Sequence, residues 1–133
     1  MATLCSAKWD SLSGDLAMMN IILDRGGRSL SALIFLFWGA FFVEHLAEWF
    51  LRSDGQLPPP FVWAAQFLHL TMLLAFGWSV FRPLSGSFAI LLTSAAFFGC
   101  IRAFPSIALI NLAPVAMAWT NWLLKPAAQR VAE

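Results

Sequence analysis

The residues in this chain best suited to chemistry are two histidines and the polar side chains around them. In VEHLAEWF (43–50), Glu44, His45 and Glu48 fall within two helical turns; in AAQFLHL (64–70), Gln66 and His69 are three apart and share a helical face. Both stretches sit in otherwise apolar sequence, where an ionisable group is costly and faces a partner inside a helix bundle. His45, Glu48, Gln66 and His69 are therefore the candidate binding cluster. Four chemistries remain open to it. Two imidazoles from facing helices can be the axial pair of haem b. Two histidines and a carboxylate can hold zinc, copper or iron, although no HExxH or CxxC motif accompanies them. A polar pocket with a histidine can bind a quinone headgroup or pass protons. Finally, the same side chains can simply satisfy one another between helices.

The connection between the two stretches sets their relation. Residues 53–60 end in Pro58-Pro59-Pro60, which cannot continue a helix and extends as polyproline II. So short a link makes the flanking helices antiparallel neighbours. His45 is six residues from the end of its helix, about 9 Å, and His69 is eight residues in, about 12 Å, so the imidazoles are expected at matched depth. For haem, Ala47 and Ala65 would make room, and Phe41, Trp49 and Phe76 would line the faces. The rotation of each helix about its axis is not set by spacing.

The elements that must position these residues follow from composition. The chain has 133 residues, 60% hydrophobic and 11% charged, with seven Trp, thirteen Phe and no Tyr. Soluble domains carry about 25% charged residues, so the medium expected here is lipid. Segments 30–51, 61–81, 84–103 and 106–124 each have the roughly 20 residues needed to cross a bilayer. The fold class expected is all-α membrane: a four-transmembrane-helix bundle. Lys8, Arg25, Arg28, Arg82, Lys125 and Arg130 lie on one side of these spans, against Arg52 and Arg102 on the other. The positive-inside rule makes this N-in and C-in, in a bacterial inner membrane, with 125–133 as a cytoplasmic tail. A net charge of +1 provides no field for nucleic acid. Cys5 and Cys100 are expected at different depths and unpaired, and no cleaved signal peptide is expected.

Residues 1–29 are too polar to span. Trp9, Leu12, Leu16, Met19, Ile22 and Leu23 nevertheless recur at three- and four-residue steps, which predicts an amphipathic interfacial helix or a stripe for a partner protein. Gly26-Gly27 is expected to break this helix and turn the chain into the first span. The first span becomes polar only at its outer end, where Trp49 suits the interface and Arg52 can pair with Glu48. Arg82-Pro83 predicts a tight turn. Ser85, Ala89, Thr93, Ala96, Cys100 and Ala103 form a small-residue stripe expected to pack against a neighbouring helix. Pro114 is expected to kink the fourth span, with Asn111, Ala118 and Asn121 near the same inward face.

No phosphate-binding glycine loop, nucleophile elbow or dinucleotide fingerprint is present, so no catalytic activity is expected of the chain on its own. From the second span onward, AAQFLHLTMLLAFGWSVFRPLSGSFAILLTSAAFFGCI resembles the DoxX-like group of small four-helix membrane proteins. There, a second helix with one polar residue ends in an Arg/Pro turn before a small-residue-rich helix. FLFWGAFFVEHLAEW is similar to the group's opening helix, and the likeness covers residues 30–124. It departs where the group more often has a Lys in helix one and an acid in helix two, positions taken here by Glu44-His45 and His69. The resemblance implies an accessory subunit of a sulfur- or quinone-linked redox complex, in contact with other membrane subunits. A rival expectation is a small proton-coupled transporter using Glu44 or Glu48, which are the only acids available to such a site in the first span.

Overall fold

A computed structural model describes residues 2–51, 57–102 and 105–125, with side chains from residue 14 onward and without that of residue 105. The described chain is helical: α1 (Ala2–Leu51), α2 (Pro60–Phe81), α3 (Pro83–Ile101), α4 (Pro105–Ile110) and α5 (Leu112–Leu124). Four helical segments are long and apolar enough to cross a bilayer, with α4 and α5 together making the fourth. This is an all-α membrane bundle in which α1 packs on α2 and α5, and α3 packs on the same two, closing a ring of neighbours.

Proline sets most of the boundaries. Pro59 is extended, at φ −63° and ψ 153°, and its carbonyl accepts from the Val62 amide at 2.9 Å, starting α2 with Pro60 in the first turn. At the other end Arg82 is driven out of helical geometry by Pro83, to φ −130° and ψ 79°, and is the whole connection to α3. Gly86 makes so sharp a reversal possible, since a Cβ there would collide with the Ser79 backbone. Helix α3 stops at Arg102, a non-glycine residue in the left-handed region (φ 50°) whose amide donates back to the Phe98 carbonyl. Pro114 acts as expected. It has no N–H for the Ile110 carbonyl and its ring crowds that group. The helix breaks there, and the Asn111 amide turns to the Ala108 carbonyl at 3.1 Å.

Two expectations are corrected. Gly26-Gly27 does not interrupt α1, which runs unbroken through both. The pair instead admits Met117 of α5: a Cβ on Gly26 would lie 2.6 Å from the Met117 methyl, and one on Gly27 3.5 Å from its Cβ. The glycines serve a close helix crossing, the role of small residues in lipid. In α3, the face turned inward is not the Ser85–Ala89–Thr93–Ala96–Cys100 stripe. Ser85 and Ala96 are exposed, while Gly86, Ser87, Ile90, Ser94, Phe97 and Phe98 are buried. Ala103 lies outside the described residues.

The core is Ile34 and Trp38 of α1, Met72, Leu73, Ala75 and Phe76 of α2, Ile90, Phe97 and Phe98 of α3, and Val115 of α5. Large apolar side chains also cover the outside, among them Leu36, Phe67, Leu74 and Leu92. In water such a surface would drive aggregation. It is the surface an integral membrane protein presents to lipid.

Candidate functional site

The structure separates the two histidines by environment. His69 is buried, its ring packed by Phe97 at 4.7 Å, Phe42 at 5.3 Å and Trp38 at 5.8 Å between centroids. His45 is exposed, with its Nδ1 2.8 Å from the Phe41 carbonyl of its own helix. Glu44 and Glu48 are exposed too. The two imidazoles thus differ in environment, His69 among three aromatic rings and His45 at the surface. Among the described residues, no group of three His, Cys, Asp or Glu could hold a metal ion. The Glu48–Arg52 pair falls on Arg52, outside the described residues, and so does any relation of Cys5 to Cys100, whose thiol is free.

Gln66 and His69 do share a face of α2, as their spacing requires. The Gln66 Oε1 and the His69 Nε2 are both buried without a hydrogen-bond partner among the described residues. Unpaired buried polar atoms are costly in an apolar medium.

The polar centre of the bundle is Asn111, fully buried at the break between α4 and α5. Its Oδ1 accepts from the Trp38 indole N–H of α1 at 3.0 Å. Its Nδ2 donates to Ser94 Oγ of α3 at 3.2 Å and reaches Met72 Sδ of α2 at 3.6 Å. One amide thus ties together all four spans. The pattern of the fourth span puts Asn111 on an inward face but names no partner for it. The available signal was its position three residues before Pro114, where the lost helical bond lets the backbone turn the side chain inward.

Nearer the Arg82 end, polar contacts recur. Trp119 donates to Ser87 at 3.0 Å, Trp78 to Ser85 at 3.1 Å, and Arg28 to the Val80 carbonyl at 3.0 Å while also pairing with Asp24 at 2.9 Å. The Arg28–Val80 bond fixes the height of α1 against the end of α2. Before Arg28, the N-terminal extension of α1 still packs on α5, with Gly26 and Gly27 against Met117, and only residues 14–19 are exposed without interruption.

The chain matches no protein-family model, and comparison with curated proteins and with solved structures finds no significant relative.

Proposed function

We propose that the protein is a non-catalytic accessory or anchoring subunit of a larger membrane assembly, and that the α1 extension is where it meets its partner. The observation that carries this reading is the outer surface of the extension. Leu16, Met18, Met19 and Ile22 are exposed, Ile22 at 60%, on a helix that continues without a break into the first span. A helix in line with a span cannot also lie flat on the bilayer, so where these side chains extend beyond the lipid another protein would cover them. The positive-inside rule places the extension in the cytoplasm. The redox character of the assembly rests on the likeness of residues 30–124 to the DoxX-like group, with the Gln66 and His69 pair as the place for a quinone headgroup. Glu44 and Glu48 do not favour a transporter, because neither faces the bundle interior where a coupling carboxylate belongs.

Purification from native membranes in mild detergent tests this. The wild-type chain is expected to co-purify with at least one other membrane subunit, and Met18→Asp with Ile22→Asp to release it while the bundle stays monodisperse. Recovery of the wild-type protein only as a lone monomer, or only with copies of itself, would count against the reading.

A further inference from the structure

Between the α1 extension, the α2–α3 turn and the end of α5 lies a cleft of about 790 Å³, within the range of small-molecule sites. Its lining is strongly basic. Arg25, Arg28, Arg82 and Lys125 face it against one carboxylate, Asp24, which is already bound to Arg28. Arg25 and Arg82 have no carboxylate within reach among the described residues. Such a concentration of cations calls for an anion, and the planar guanidinium favours the oxygens of a phosphate.

One further feature narrows the ligand. The rim contributed by α2 is apolar: Trp78 is 55% and Phe81 76% exposed on the lipid-facing side. A free anion would have no use for that rim, whereas an acyl chain would.

We propose that this cleft binds an anionic phospholipid. Arg25 and Arg82 hold the phosphate, and the acyl chains leave over Trp78 and Phe81 into the bilayer. The site is independent of any partner on the outer surface of the α1 extension.

Native mass spectrometry of the full-length protein in detergent, titrated with phosphatidylglycerol, phosphatidylcholine and glycerol phosphate, tests it. Phosphatidylglycerol is expected to stay bound in preference to phosphatidylcholine and to resist equimolar glycerol phosphate. Arg25→Gln with Arg82→Gln should weaken its binding roughly 30-fold, from the attraction general to basic side chains near anionic lipid. Arg25→Lys with Arg82→Lys should retain most of the affinity, and Arg102→Gln, at the opposite end, all of it. Equal retention of the two lipids by the wild-type protein would overturn the proposal, and this needs no variant to fold. Undiminished binding by a helical, monodisperse Gln variant would overturn it as well, and effective competition by glycerol phosphate would assign the cleft to a soluble phosphate instead.

Discussion

Asn111 is engaged through both ends of its amide, so its removal affects groups on three other helices. Leucine has nearly the same size but neither donor nor acceptor. In Asn111→Leu the Trp38 indole N–H would stay buried without an acceptor, and Ser94 would lose its donor. Interhelical hydrogen bonds in lipid contribute on the order of 0.6 kcal/mol each, and an orphaned buried donor adds its own desolvation cost, giving an expected loss of about 1–2 kcal/mol. Reversible unfolding in mixed micelles would measure it. An unchanged midpoint would mean that the amide contributes no net stability. His69 poses a different question, because its neighbours are aromatic rings and its Nε2 is unmatched. The sequence showed that His45 and His69 sit at comparable distances from their helix ends. It did not show that one ring is buried and the other exposed, because the rotation of α1 is fixed by Trp38 and Gly26-Gly27 meeting residues distant in the chain.

The helices themselves were the most legible part of the chain. A run of about 20 apolar residues has no other stable arrangement in lipid than a helix that satisfies its own backbone. The turn at Arg82-Pro83 and the break before Pro114 were equally readable, since proline acts through its own ring and missing N–H. Glycine was not. The same residue that ends helices in water permits close crossings in a bundle, and only the position of Met117 decides between these roles at Gly26. The small-residue stripe of α3 was misassigned for a related reason. Gly86, next to the stripe, lies against the Ser79 backbone of α2, and the buried face of α3 runs from it through Ile90, Ser94 and Phe97. Gly86→Ala is therefore expected to destabilise the protein by about 1–3 kcal/mol, the cost of overpacking a tight interface. Its single methyl meets backbone rather than a movable side-chain tip. A thermal unfolding series that also includes Gly99→Ala would check this, since Gly99 has open space around it and should be neutral.

Four spans put both termini on one side of the membrane, and the distribution of basic residues says which. Single cysteines introduced at Arg25 and at Arg102, in a chain with Cys5 and Cys100 replaced by Ala, should label differently in intact cells. An impermeant maleimide is expected to reach position 102 from outside and position 25 only after lysis. The reverse pattern would invert the orientation and place the basic cleft on the outer face. The fold as a whole is small, with few buried residues per helix, and its polar centre lies where all four spans meet.

The unbroken course of α1 also has a mechanical meaning. An α-helix is stiff over tens of ångströms, so one rod carries both the exposed methionines of the extension and Trp38 at the centre of the bundle. Where that rod crosses α5 at Gly26-Gly27, Met117 lies against it. The same helix that carries the exposed methionines therefore also carries the indole that holds Asn111, so the two ends of α1 share one axis with the amide joining the four spans.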